Sequence, residues 1–171
     1  MALCIPTLVG PVSELTKSIR VQGSLPDAII TIFSIGSNAR IVAQDKALGG
    51  DDRLALVAGA GPLQADDILV VSQELSGDAS DTTPESMGMP VQMIPTALGH
   101  VGFVSHLYEC GEYLWVNGAF PGATVEVRDN NNSVIGSGES NEGDVRMALS
   151  SNFSGNVTAH QLIPSVIGPD H

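Results

Sequence analysis

The sequence contains one pattern twice, at an offset of 95 residues. Residues 21–32 (VQGSLPDAIITI) return as residues 116–127 (VNGAFPGATVEV). Each copy has alternating apolar residues, then a glycine followed three residues later by a proline, then a second alternating stretch. The pattern predicts two strands joined by a turn, because glycine permits and proline fixes turn conformations. A repeat of this size constrains the architecture of the whole chain.

The repeat predicts two related all-β modules within 171 residues. We place the first at residues 1–95, with an N-terminal extension and an acidic loop at 74–90 that reads as a loop or tether. The second occupies residues 96–171. Aromatic residues make up only 4% of the chain, so the cores must be built from Val, Ile, Leu and Ala, which favours strands. Each module is long enough to bury a core of its own, with a modest margin.

The charge balance excludes several classes of partner. Seven basic residues face 19 acidic ones, for a net charge of −12. Such a surface repels phosphate backbones and anionic headgroups, so we expect no nucleic-acid partner. The apolar stretches have strand length and fall short of the roughly 20 residues of a membrane span, so we expect no membrane insertion.

The second copy carries a resemblance to a known family. Residues 116–127, the VTAHQ stretch at 157–161 and the closing Gly168-Pro169 resemble the bacterial Ig-like module. The first copy is similar to it as well, but has Asp27 where the family usually has glycine. The resemblance implies two tandem Ig-like antiparallel β-sandwich domains. It also implies a role as spacer, stalk, adhesin repeat or accessory module in extracellular, cell-surface or phage-associated proteins.

The N-terminus and the cysteines bear on where the chain works. Residues 1–6 lack both a basic n-region and a long apolar h-region, so they are not a complete signal peptide. We expect an excised part of a longer exported bacterial protein, with a phage or other particle as the alternative. Cys4 and Cys110 allow one disulfide, and their spacing leaves open whether they are bonded. At the position of Cys110 we expect a small buried hydrophobe.

Sequence motifs for catalysis are missing. The four histidines form no His-x-His or His-x-x-x-His pair, and the chain has no G-x-S-x-G elbow and no glycine-rich phosphate loop. We therefore expect a protein that is not an enzyme and has no resident cofactor.

Two aspartate pairs are the candidate calcium ligands. Asp51-Asp52 and Asp66-Asp67 lie in stretches that we interpret as loops, the first in a turn at residues 49–52. Calcium prefers several oxygen ligands at about 2.3–2.6 Å, which such loops can supply. The D-x-D-x-D-G spacing is missing, and the alternative is that these carboxylates are solvated and oppose aggregation.

Three aromatic residues are the candidate ligand-binding residues. Tyr113 and Trp115 alternate with Leu114, so both rings point to one side of their strand, and Tyr108 is close in sequence. Flat rings of this kind bind sugar faces. The alternative is that they cover a contact with the other module or with another subunit.

Together these observations favour a non-enzymatic structural or adhesive module pair that acts as a spacer or display element. The partner we expect is a protein or a surface glycan. One alternative is a carbohydrate-binding accessory module. Another is a self-assembling subunit whose edge strands pair between copies.

Overall fold

The computed structural model describes residues 3–36, 39–104, 111–150, 153 and 155–163. The fold is all-β, as predicted, with one short 3₁₀ helix at Glu85–Met87. None of the described helical segments is long and apolar enough to cross a membrane. The strands are β1 Thr7–Val9, β2 Val12–Ser13, β3 Ser18–Ser24, β4 Ile29–Ser34, β5 Arg40–Lys46, β6 Gly50–Ala55, β7 Ile68–Leu75, β8 Asp78–Ala79, β9 Met89–Gln92, β10 Gly102–Phe103, β11 Tyr113–Asn117, β12 Thr124–Arg128, β13 Val134–Glu139, β14 Val145–Ala148 and β15 Thr158–Leu162.

The chain divides into two compact units, Met1–Ile94 and Pro95–His171. In the first unit, one sheet has the strand order β1-β3-β6 and the other the order β2-β9-β7-β4-β5, with β8 beside β7. Neighbouring strands are antiparallel except β2 and β9, which run parallel. The N-terminal segment thus contributes one strand to each sheet. This is the order of an Ig-like β-sandwich.

The core of the first unit lies between its two sheets. Alternate residues of β3 point inward from one layer, and Ile19 and Val21 are fully buried there. Ile30 and Ile32 of β4 do the same from the other layer and belong to the same apolar cluster. Burying a side chain of this size contributes roughly 1.5–3 kcal/mol relative to leaving it exposed, so this β-branched core holds the layers together without aromatic residues.

The second unit has the same plan in its described residues. One sheet has the order β10-β11-β14 and the other the order β13-β12-β15. Leu114 and Val116 of β11 and Val125 and Val127 of β12 form its core. The turns match as well: the amide of Ala28 donates to the carbonyl of Leu25 at 3.1 Å, and 95 residues later Ala123 donates to Phe120 at 3.0 Å.

A buried glutamine ties the first unit together. The side-chain carbonyl of Gln73, on β7, accepts a hydrogen bond of 2.9 Å from the amide of Leu25 in the glycine–proline turn. Its side-chain amide donates a hydrogen bond of 2.7 Å to the carbonyl of Cys4. Gln73 is only 1% exposed. One side chain therefore joins a core strand, the turn of the repeat and the N-terminal segment.

The second unit has the same arrangement around Gln161. We call it the glutamine clamp in both units. The side-chain carbonyl of Gln161 accepts a hydrogen bond of 2.7 Å from the amide of Phe120. Its side-chain amide donates a hydrogen bond of 2.7 Å to the carbonyl of Gly99. Phe120 and Gly99 lie 95 residues after the two partners of the first clamp. Gln73 and Gln161 thus have the same hydrogen-bonding role in the two units.

Two loop predictions are wrong. Residues 49–52 were expected to form a turn that carries Asp51 and Asp52, but both aspartates lie in β6. The turn is complete earlier, because Gly49 and Gly50 take positive φ angles of 105° and 84°. Residues 74–90 are not a free tether, since they contain parts of β7 and β9, all of β8 and the 3₁₀ helix.

Of the two cysteines, the structure describes only Cys4. Cys4 is exposed and a free thiol in the structure. Cys110, its candidate partner in a disulfide, lies outside the described residues, and so does Tyr108.

The departure from the family pattern at Asp27 has a structural basis and a testable consequence. Asp27 has a φ of 66°, and Gly122, its counterpart, a φ of 81°. An exposed ion pair with Lys46 offsets the strain of this positive φ at Asp27, with 2.7 Å between Asp27 Oδ1 and Lys46 Nζ. The counterpart of Lys46 is Glu139, since Lys46 pairs with Ile29 and Glu139 with Thr124.

We therefore expect Gly122→Asp to destabilise the second unit by about 1–2 kcal/mol, because it adds both left-handed strain and like-charge repulsion. Asp27→Gly should change the first unit by less than about 1 kcal/mol, since relief of strain offsets the lost ion pair. Urea unfolding followed by the fluorescence of Trp115, the single tryptophan, measures the second unit. Gly122→Asn is the uncharged control. Equal stabilities of Gly122→Asp and wild type would contradict this reading of the turn.

Candidate functional site

The outer face of β11 in the second unit carries two exposed aromatic rings. Tyr113 is 53% exposed and Trp115 46% exposed, whereas Leu114 and Val116 between and beyond them are buried in the core. The alternation follows from the two-residue period of a strand. Because the inward residues hold the strand in place, both rings are presented to solvent on the same side.

The neighbouring strand adds a cation to this face. β14 pairs antiparallel with β11, and Arg146 lies directly opposite Trp115. The guanidinium carbon of Arg146 is 4.3 Å from the centroid of the Tyr113 ring. Such a cation–π contact contributes about 0.5–1 kcal/mol at an exposed site. We call Tyr113, Trp115 and Arg146 the aromatic–arginine face.

The frame of the sandwich does not require aromatic residues at these positions. In the first unit the corresponding pair in the sheet register is Arg20 opposite Arg53. Arg20 there makes an ion pair with Asp51, with a distance of 2.7 Å between Nε and Oδ1. The same position of the same sheet thus carries a charged residue in one unit and an exposed indole ring in the other. The aromatic–arginine face is a property of the second unit alone.

The candidate calcium ligands Asp51 and Asp52 have protein partners. The hydrogen bond from Arg20 to Asp51 lowers the pKa of that carboxyl. Asp52 is buried and accepts hydrogen bonds from the Ser24 hydroxyl and from the amides of Leu48 and Gly49. Burial alone would raise the pKa of Asp52, but these three donors outweigh it and the pKa is lowered. Both carboxylates stabilise the part of the first unit where β3 pairs with β6.

Asp67 is the most deeply buried acid of the candidate set, at 1% exposure. It forms a bidentate pair with Arg40, at 2.7 Å from Nη2 to Oδ2 and 3.0 Å from Nη1 to Oδ1. The Ser34 hydroxyl and the amide of Gln64 donate to it as well. Burial alone would raise the pKa of Asp67, but the hydrogen bonds from Arg40 and Ser34 outweigh this effect, and the pKa of Asp67 is lowered. Its neighbour Asp66 is exposed in the preceding turn.

The described residues contain no group of three or more His, Cys, Asp or Glu side chains that could hold a metal ion. Because the oxygens of Asp51, Asp52 and Asp67 already accept protein hydrogen bonds, we expect calcium or a chelator to leave the melting temperature unchanged. Scanning calorimetry with and without calcium measures this, with magnesium as the control. A rise of several degrees that calcium alone produces, and that Asp66→Asn removes, would contradict the expectation.

Sequence reasoning placed Tyr113 and Trp115 on one outward face, and the structure puts them there. It missed Arg146, because the contact depends on the pairing of β11 with β14 across 31 residues of chain. One signal was present in the sequence: Val145 and Met147 alternate with Arg146, which indicates an outward arginine on a strand.

No protein-family model and no curated protein sequence matches this chain. Among solved structures, a biofilm-associated protein BSP domain is similar at 12% identity and a TM-score of 0.40, over 93% of this chain and 27% of that chain. A marsupial T cell receptor is similar at 11% identity and a TM-score of 0.33, over 98% of this chain and 69% of that one. This chain thus spans about a quarter of the biofilm-associated structure. Both similarities are weak, and the Ig-like assignment rests on the strand order and the shared core.

Proposed function

We propose that this chain is a non-enzymatic structural or adhesive part of a surface, extracellular or phage-associated protein. In this proposal its two Ig-like units act as a spacer that displays a binding face. The observation that carries the proposal is the way in which the first unit joins its two ends.

The second and last strands of the first unit, β2 and β9, lie side by side and run parallel. Val12 pairs with Val91, and Ser13 with Gln92. The carboxylate of Glu14 also accepts a hydrogen bond of 2.9 Å from the amide of Ile94, the last residue of the unit. Because the pair is parallel, the start of β2 and the end of β9 lie at opposite ends of the paired strands. Tension between them therefore loads the hydrogen bonds together in shear instead of breaking them one at a time.

The buried polar groups support the same proposal. Every buried side-chain nitrogen and oxygen in the described part of the chain has a hydrogen-bond partner. Gln73, Asp52 and Asp67 all serve to hold strands and turns together. Unpaired buried polar groups are costly, so a framework of this kind is rigid, as a spacer requires.

Size-exclusion chromatography with light scattering over a wide concentration range tests the proposal against self-assembly. A spacer should remain a monomer of 17.7 kDa. A defined oligomer or a filament that grows with concentration would overturn the spacer role and favour the self-assembling subunit.

A second candidate function is a carbohydrate-binding accessory module. The exposure of Tyr113 and Trp115 favours it, because half-exposed aromatic rings on a rigid sheet are pre-organised for stacking and lose little entropy on binding.

A further inference from the structure

Arg146 differs from the other basic residues of the chain. All seven lie in the described residues, and six of them contact other protein groups through hydrogen bonds or charge pairs. Four ion pairs are Arg20–Asp51, Arg40–Asp67, Lys46–Asp27 and Arg128–Glu126. The contact that the described structure gives the Arg146 guanidinium is the ring of Tyr113.

Arg146 lies opposite Trp115 in the strand register, and its guanidinium lies over the Tyr113 ring. The N–H groups of a guanidinium point outward in its plane, so a contact with a ring through the guanidinium carbon does not use them as hydrogen-bond donors. A planar guanidinium binds a carboxylate through two parallel hydrogen bonds. The aromatic rings offer an electron-rich surface to the C–H face of a sugar ring. Asn117, the next outward residue on β11, is exposed and adds an amide for hydroxyl groups.

The net charge of −12 does not prevent a negative ligand from binding here. At physiological ionic strength the Debye length is about 8 Å, so exposed carboxylates farther than this from Arg146 are largely screened. A guanidinium in direct contact with a carboxylate is screened much less. The net charge of the chain therefore does not by itself prevent a carboxylate from binding at Arg146.

We infer that the aromatic–arginine face binds a carboxylate-bearing sugar of an acidic polysaccharide, an inference that rests on the second candidate function above. Trp115 stacks on the sugar ring, Tyr113 supports the guanidinium of Arg146, and Arg146 donates two hydrogen bonds to the carboxylate of the sugar. The ligand class is set by the pairing of one stacking surface with one guanidinium. A neutral sugar would use the Trp115 ring and leave the guanidinium without a charged partner.

Isothermal titration calorimetry on the full chain tests this inference with two matched probes. The probes are a short uronic acid oligomer and its carboxyl-reduced form, with the same linkage and length. We expect the acidic oligomer to bind at least about tenfold more tightly. Arg146→Gln should weaken its binding about 10- to 100-fold, as expected for a hydrogen-bonded charge pair, and leave the reduced oligomer unaffected.

Two further variants separate the parts of the face. Trp115→Ala should abolish binding of both probes, and circular dichroism should show an intact sandwich, because the ring lies outside the core. Arg53→Gln is the matched control, since Arg53 occupies the corresponding position in the first unit, and it should change nothing.

Three results would overturn the inference: no binding of either probe, equal loss of both probes in Arg146→Gln, or a dimer that buries Trp115. No binding by a chain that remains monomeric would remove the acidic-sugar site alone and leave the spacer role in place. A dimer would contradict both.

Discussion

Replacing Asp67 by asparagine will destabilise the first unit by about 3–5 kcal/mol, the usual effect of breaking a buried ion pair. Arg40 is only 13% exposed, so the substitution leaves its charge buried without a counter-charge. The loss is large relative to the total stability of a small domain, which is about 5–15 kcal/mol. The pair is bidentate, and Ser34 and Gln64 complete it, so the surroundings cannot rearrange to replace it.

The chain provides an internal control for this measurement. Trp115 is its single tryptophan and belongs to the second unit. Hydrogen exchange read by mass spectrometry on β4 and β7 peptides should show the loss of protection in the first unit. The Trp115 fluorescence transition should stay where it is in the wild type. Asp66→Asn, at the exposed neighbouring position, should change stability by less than about 0.5 kcal/mol. Unchanged protection of β4 and β7 in Asp67→Asn would contradict the role of this pair.

The same carboxylate sets a pH dependence. The pKa of Asp67 and that of Asp52 are both lowered in the folded chain, below the value of about 3.9 for an unfolded aspartate. Their contribution is therefore fully present above that value and is lost as the pH falls through the lower folded pKa. We expect the stability of the first unit to be nearly flat above about pH 5 and to decline below about pH 4. Asp67→Asn should have a shallower decline, and an equally steep one would show that other groups cause it.

The second large effect is expected at the glutamine clamp. Gln73→Ala leaves the amide of Leu25 and the carbonyl of Cys4 without their partner and opens a cavity in the core. Together these losses amount to about 2–5 kcal/mol. Gln161→Ala removes the same two kinds of hydrogen bond in the second unit, where the side chain is half-exposed, and water can replace them. We expect it to cost about 1 kcal/mol.

The two clamp variants control for each other, because each changes one unit and leaves the other intact. Trp115 fluorescence should move for Gln161→Ala and stay for Gln73→Ala, while hydrogen exchange in β4 and β7 should do the opposite. Equal losses in the two variants would show that burial does not decide the strength of the clamp.

Much of the fold follows from short-range patterns in the sequence. The repeat and the alternation of apolar residues predicted a strand on each side of both glycine–proline turns, and the structure has β3 and β4, and β11 and β12, at these places. These features are readable because strand periodicity and turn chemistry are local.

The partners of the charged residues could not be predicted in this way. Arg40 and Asp67 are separated by 27 positions, and Ser24 and Asp52 by 28. Which side chains meet over such distances depends on the sheet register and on the layer each strand joins, and the spacing of charges encodes neither. For the same reason the sequence did not predict the role of Arg146, because its contact with Tyr113 arises only when β14 pairs with β11. Asp52 illustrates the error directly, since a carboxylate assigned to a loop is a buried hydrogen-bond acceptor in a strand.

The spacer proposal can be probed at the bond that joins the two ends of the first unit. The amide of Thr16 donates to the carbonyl of Ser13, so Glu14 holds the second position of a turn in which proline is tolerated. Glu14→Pro removes the 3.2 Å hydrogen bond from the Glu14 amide to Gln92, together with the carboxylate contact to Ile94. The turn itself should persist, and circular dichroism can verify that the sandwich is intact.

Stretching single molecules of the chain between two handle domains tests the central proposal most directly. We expect two separate force peaks, with extensions of about 300 Å for the 94-residue first unit and about 250 Å for the second, given about 3.3–3.6 Å per extended residue. Glu14→Pro should lower the first peak and leave the second unchanged. A wild-type chain that extends smoothly, without a force peak from the first unit, would contradict the spacer role.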